Sequence, residues 1–399
     1  MSVSAEPTLR LRGPLIAATA FVVALTLRPA LTAVGPVLPR IGADQHLGEA
    51  ALGLLGTLPL LAFAAASPLI HFASRRFGME RTVFWSLLVL AAGSVLRSYT
   101  GTAGLWIGTV VIGAAIAVGN VLVPVIIKRD YANHVSRATG VYTAFITGGA
   151  AIASLVAVPI ADAADWRLSL AIWGGLTLVV AVVWLPRAMQ PVSVPPPSTA
   201  HDAPLASVWR QPMAWLVTGF MGLQSTSFYL LVTWLPTIEM SHGISEHATG
   251  VHLFLFQVCG LIGGLSIPRL LRHPASQRAG TVTASVPILV ALLGLLLVPD
   301  LALGWAMIAG LGQGAALVAA LSLISIRGRT HHETTQLSGM AQSVGYLLAA
   351  AGPVVAGFLT ERTGGWDVTL IVFSALAAVQ LAIGVAAGRD TRIERASQP

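Results

Sequence analysis

The chain has 399 residues, 55% of them hydrophobic and only 10% charged, with a formal net charge of +7. So few charges cannot clothe a water-soluble protein of this length, which excludes a soluble globular fold. The basic excess lies between long apolar runs, so it reads as a topology signal rather than a nucleic-acid footprint.

Twelve runs are long enough to cross about 30 Å of hydrocarbon as helices. In chain order they are 13–38, 48–71, 82–98, 103–127, 138–160 and 168–186, then 212–236, 248–270, 280–298, 302–326, 337–360 and 367–387. The first run is too long for a removable signal peptide and lacks a convincing cleavage site. Between the two sets, 187–211 holds Pro191, Pro195, Pro196, Pro197 and Pro204 among Ser, His and Asp, a composition that predicts an extended linker. The expected organisation is a bundle over 1–186, a cytoplasmic linker over 187–211 and a bundle over 212–399.

Arg and Lys are concentrated on alternate connections. One set holds Arg10, Arg12, Arg75, Arg76, Arg81, Lys128, Arg129, Arg137, Arg187, Arg210, Arg269, Arg272, Arg278, Arg327, Arg329, Arg389, Arg392 and Arg395. The other holds only Arg40, Arg97, Arg167 and Arg362. The basic set is expected to face the cytoplasm, with both termini inside and the chain multi-pass in the inner membrane. The halves also repeat. At one constant offset Leu38-Pro39 matches Leu235-Pro236, Gly53 matches Gly250 and Arg75 matches Arg272; Gly140 matches Gly339 and Trp166 nearly matches Trp366. A six-span repeat predicts two similar bundles able to rock about a site between them. Runs such as Gly148-Gly149 and Gly260-Leu261-Ile262-Gly263-Gly264 predict close helix packing. Pro36, Pro59, Pro68, Pro124, Pro268 and Pro353 predict kinks.

Arg28 is the most informative residue. It lies near the middle of the first run, too deep to snorkel, where an Arg is costly unless it meets water, a partner or a ligand. All sixteen Asp and Glu are expected in loops, tails or span ends, leaving Arg28 without an internal counter-ion. Its planar fork suits a carboxylate, a nitro group or a small linear anion. The alternative is that Arg28 caps carbonyls freed by Pro29. At similar depth lie Asn120, Tyr142, Gln224, Gln257, Gln313, Gln342 and Tyr346, each open to a helix–helix bonding role or, as a set with Arg28, to a polar cavity. Trp234 is either an interfacial anchor or an aromatic wall of an outer vestibule. His252 is the one group within a span expected to titrate, and so a candidate for proton coupling. Cys259 stands alone, which excludes an internal disulfide and a multi-cysteine metal site. No nucleophile elbow, phosphate-binding loop or zinc-protease motif occurs, which argues against an enzyme and against direct drive by ATP.

Several stretches carry a resemblance. They are Leu27-Arg28-Pro29-Ala30 with Val34-Gly35-Pro36-Val37-Leu38-Pro39, Gly119-Asn120-Val121-Leu122-Val123-Pro124, Leu231-Val232-Thr233-Trp234-Leu235-Pro236, Gly310-Leu311-Gly312-Gln313-Gly314, and Leu337-Ser338-Gly339-Met340-Ala341-Gln342-Ser343-Val344-Gly345-Tyr346. On these the chain resembles the major facilitator superfamily, within it the cyanate/2-nitroimidazole transporter (CynX/NimT) family. The superfamily's loop after the second span usually reads Gly-x-x-x-Asp-Arg-x-Gly. Here His71 replaces the Gly and Arg75 the Asp, while Arg76 and Gly78 remain, which puts the usual charge latch in doubt.

The resemblance implies an all-α membrane protein with twelve transmembrane helices in two pseudo-symmetric six-helix bundles. Its central cavity would be lined by the first, fourth, seventh and tenth spans, and would move a cyanate-like or nitroimidazole-like solute by alternating access. Broader drug efflux, a non-transporting membrane sensor and a membrane enzyme are the rivals. The partners expected are a small-molecule substrate and membrane lipid, with no nucleic acid, no cofactor, no metal and a monomeric state.

Overall fold

The computed structural model describes residues 14–190, 208–271, 276–328 and 331–389. The first span is built from three pieces, α1 (Pro14–Thr26), α2 (Pro29–Thr32) and α3 (Val34–Gln45), and α3 is bent by 40° from the preceding stretch. Next come α4 (Glu49–Phe77), α5 (Met79–Tyr99), α6 (Gly101–Asp130), α7 (Val135–Ala163) and α8 (Trp166–Ala188). The second half holds α9 (Pro212–Ser241), α10 (Glu246–Ser266), which breaks at Pro268 into α11 (Pro268–Leu271), then α12 (Arg278–Leu297), α13 (Ala302–Arg327), α14 (His331–Thr363) and α15 (Asp367–Ala387). Eleven spans are long and apolar enough to cross a bilayer, and the bent first span makes twelve. The chain is thus a multi-pass, all-helical membrane protein of two six-helix bundles.

Local chemistry sets several ends. The Asp165 side chain accepts from the Leu168 amide at 2.7 Å and starts α8. Gly78 carries a φ of 85° between α4 and α5, a conformation in which a side chain would be strained. On the terminal side of the first bundle, Arg187 is buried, pairs with Asp130 and donates to the Ile16 carbonyl at 3.0 Å. It ends a packed helix rather than opening a linker; of the expected linker, 191–207 lies outside the described residues. In the second bundle Arg327 is buried against the Ala387 carbonyl (2.9 Å) and Gln277 Oε1 (2.6 Å). Part of the basic bias that signals topology therefore also ties up helix-end carbonyls.

Apolar side chains such as Val182, Leu265 and Ile371 point outward, as they do where the surrounding solvent is lipid. α9 is the most enclosed span, with 83% of its apolar window buried against 39–56% for the other spans with a single unbroken window. The bundles meet through bare backbone. A Cβ on Gly53 of α4 would overlap the Pro353 carbonyl of α14, and one on Gly250 of α10 would sit 3.0 Å from the Ser154 carbonyl of α7. The two contacts are related by the internal repeat: Gly53 corresponds to Gly250, and the offset joining Gly140 to Gly339 also joins Ser154 to Pro353. Gly35 of α3 meets the Val232 carbonyl in the same way.

Two expectations need correction here. α9 does not stop near Pro236 but runs through it to Ser241, which carries Glu239 into the packed interior. Not every acidic residue is therefore confined to a loop or span end. The eleventh span begins not at 337 but at His331, so His331-His332-Glu333 belongs to α14.

Candidate functional site

The break in the first span starts with Pro29, which has no N–H to give the Leu25 carbonyl. That carbonyl faces Gly149 of α7, where a Cβ would overlap it. The chain turns at Leu27–Arg28, and the Arg28 carbonyl restarts the helix by accepting the Leu31 and Thr32 amides at 2.9 and 3.1 Å. At the second interruption the Ala30 carbonyl accepts Arg97 Nη1 at 2.6 Å. Arg97, counted in the sequence among connection residues, is only 2% exposed. The carbonyl-capping role weighed for Arg28 is played by Arg97.

Arg28 turns instead toward the other bundle. Its Nη1 donates to the Tyr229 hydroxyl at 3.2 Å, and its guanidinium carbon lies 5.8 Å from the Phe228 ring centre. The phenols of Tyr142 on α7 and Tyr346 on α14 act on it electrostatically, and no carboxylate among the described residues does. Three of the chain's five tyrosines thus gather round one cation. Beside it lies a pocket of about 20 Å³ lined by residues including Arg28, Thr32, Gly35, Gly56, Tyr229 and Thr233, room for roughly one water-sized group.

The remaining candidates divide. Asn120 on α6 is half-buried next to Gly119, whose backbone packs on Leu27 at the break. Gln342 donates to Ser338 Oγ at 2.9 Å one turn below Tyr346, and Gln342 and Ser338 line an open cleft of about 600 Å³ between α13 and α14 on the terminal side, with Ser325, Thr334 and Ser343. Gln342 and Tyr346 therefore mark a wall leading from that cleft to Arg28.

Others face away. Gln224 is buried and donates to Ser225 Oγ at 2.7 Å. With its amide nitrogen toward α9, Gln313 bonds the Gln224 carbonyl (3.1 Å) and the Phe228 amide (3.2 Å), a helix-to-helix brace rather than a cavity wall. Gln257 is buried and its Nε2 has no partner among the described residues. Trp234 is neither an interfacial anchor nor a vestibule wall: it is fully buried, donates to the Pro353 carbonyl at 2.9 Å and packs 5.0 Å from Trp366. His252 stands apart from Arg28, with Nδ1 3.1 Å from Glu239 Oε1.

Sequence reasoning missed Phe228, Tyr229 and Glu239. The signal for the first two was available: aromatic rings at mid-span depth, away from the interfacial belts where Tyr is usual. Glu239 was hidden by ending the seventh span at Pro236.

The far side, opposite the termini, is closed by polar bonds. Arg40 binds Glu246 through Nε (2.7 Å) and Nη2 (2.6 Å) and pairs with Asp162, which also pairs with His247 at 2.9 Å. Glu361 accepts the Ala50 amide at 2.9 Å, and Thr57 donates to the Ala350 carbonyl at 2.5 Å. Apart from Arg40–Asp162, which lies within the first bundle, these bonds cross between the bundles, and all lie on the far side or at mid-depth.

The sequence pattern of the Major Facilitator Superfamily matches residues 20–353. The chain is 40% identical to the 2-nitroimidazole transporter of Escherichia coli (strain K12), over 93% of this chain and 94% of that one. It is 26% identical to the cyanate transport protein CynX of the same organism, over 86% and 89%. A crystal structure of the nucleoside transporter NupG superposes with a TM-score of 0.77 at 12% identity, covering 93% of this chain and 99% of that one.

Proposed function

The chain belongs to the Major Facilitator Superfamily and is a transporter rather than an enzyme, and from that premise we propose that it carries a small, planar, electron-rich solute across the cytoplasmic membrane by alternating access. Arg28 is the anchor. The observation that carries this reading is a deep guanidinium with one described hydrogen bond, to a phenol of the opposite bundle, and no carboxylate beside it. Such a cation has donors left for a nitro group or an anion.

The rings of Phe228, Tyr142, Tyr229 and Tyr346 add flat apolar surface round that cation. They suit a nitroheteroaromatic such as 2-nitroimidazole better than a bare linear anion such as cyanate. The small pocket favours a compact solute over a broad range of drugs. By the distribution of basic residues the termini are cytoplasmic. The closed far side is then the outer mouth, and the open cleft along α13 and α14 is the path to the cytoplasm. The pocket must widen to admit even a five-membered ring, and parting the bundles at Arg28–Tyr229 supplies that space.

Uptake of 2-nitroimidazole and of cyanate into proteoliposomes tests the site. Replacing a hydrogen bond to a charged group costs about 1.5–3 kcal/mol, so Arg28→Gln lowers uptake by at least about tenfold. Arg28→Lys falls between, since a point charge replaces the fork. Wild-type uptake by Arg28→Gln overturns the reading.

A further inference from the structure

Glu239 has no part in the site above, yet its placement calls for a function. Its side chain is fully buried on α9, and neither carboxylate oxygen has a hydrogen-bond donor in good geometry among the described residues. The one titratable group acting on it is His252 of α10, at 3.1 Å. No other described charge reaches ion-pair distance. Arg40 of α3, Asp162 of α7 and Glu246 and His247 of α10 form the ion-pair network of the far mouth. Glu246 is six residues up α10 from His252, about 9 Å along the axis. Glu49 of α4, Glu361 and Arg362 of α14 and Asp367 of α15 lie at the far ends of their helices. The pair is therefore isolated, with His252 itself mostly buried, just beneath the closed mouth.

We propose that Glu239 and His252 form a proton-binding site that links opening of the outer mouth to external pH. This rests on the alternating-access reading and on the orientation given with it, not on the identity of the solute. In the closed mouth the pair is neutral only when it holds one proton, as carboxylate with imidazolium or as carboxyl with imidazole. Removing that proton leaves a buried anion, and adding a second leaves a buried cation; both are costly away from water. Opening admits water and lifts the penalty. In free water a carboxyl and an imidazole are both deprotonated above about pH 7, so the opened pair releases its proton to the outer water. The open state then binds one proton fewer than the closed state. Rising pH favours opening, by up to about tenfold per pH unit. Below about pH 6 the exposed imidazole keeps the proton and the dependence flattens.

The test follows the mouth directly and needs no solute. The chain's single cysteine, buried Cys259, is replaced by Ala, and spin labels are attached at the exposed far-side positions Ala43 and Asp300. Their distance distribution is followed in lipid nanodiscs from about pH 5 to about pH 9. The wild type shows an open fraction that rises with pH in the upper part of the range; Glu239→Gln, whose lone imidazole is neutral both in the closed mouth and in open water above about pH 7, loses that rise and is flat there. His252→Gln keeps a slope but extends it into the acid range, because a lone carboxyl sheds its proton at lower pH once exposed. A second label pair within the first bundle confirms that each variant is folded; if Glu239→Gln does not fold, His252→Gln decides. A flat wild type, a Glu239→Gln profile with the wild-type slope, or a His252→Gln profile unmoved on the pH axis overturns the proposal. A protein that fails to move 2-nitroimidazole while obeying these profiles overturns the solute reading alone.

Discussion

Replacing Gly53 by Ala forces apart the far-side contact between α4 and α14 and nothing else. The added methyl would sit 2.9 Å from Val354 Cα and overlap the Pro353 carbonyl, both rigid backbone of the opposite bundle. Carbon atoms in contact prefer about 3.5–4.0 Å, so α4 and α14 must separate by roughly 0.6–1 Å. Overpacking of this kind costs about 1–3 kcal/mol. Here the cost falls on the closed mouth alone, since a parted mouth has room for the methyl, and the open fraction rises by about 5–150-fold. The Ala43/Asp300 distance distribution reads this as growth of the long-distance population. Gly250→Ala, whose Cβ meets the Ser154 carbonyl at 3.0 Å, gives a smaller shift of the same sign. Gly140→Ala and Gly339→Ala are the controls, with nothing within 4 Å of the new methyl. A Gly53→Ala distribution that superposes on the wild type, or a Gly339→Ala shift as large, refutes the assignment of the far side as a closed gate made by bare backbone.

Other substitutions separate stability from gating. Asp130→Asn removes the carboxylate charge that meets the buried Arg187 and destabilises the first bundle, seen as a lowered melting temperature in detergent without a change in the Ala43/Asp300 distance. Arg40→Gln breaks a partly exposed network worth about 0.2–1 kcal/mol per pair. It raises the open fraction only a few-fold, and its difference from the wild type shrinks in high salt because exposed charges are screened.

How far the residues disclose the molecule depends on the size of the penalty each would incur in the wrong place. Hydrocarbon thickness fixes span length, so the helices could be drawn from hydropathy. The paired Gly53 and Gly250 could be found because two backbones touch there and only glycine fits. Arg28 stood out since a charge at that depth demands an explanation. Tyr229 did not, because a phenol can be buried cheaply wherever one acceptor or donor is at hand, and sequence gives no hint of which helix faces it. Trp234 was misjudged for a related reason: tryptophan serves equally at an interface and in a core, and its bond to Pro353 joins residues 119 positions apart. Glu239 was lost through a boundary. A proline near the end of a long helix looks like a stop, yet α9 continues past Pro236 for another turn.

The bond between Arg28 and Tyr229 also bears on how an unloaded carrier gets home. A lone guanidinium between two approaching bodies would resist being sealed away, and only a guest could quiet it; such a carrier swaps one passenger for another and stalls when empty. Here the partner body brings its own hydroxyl, so the halves can shut with no passenger aboard. On the proposed alternating-access cycle this leaves the return leg passable, and net movement of solute down its gradient is then the expectation in place of one-for-one trading.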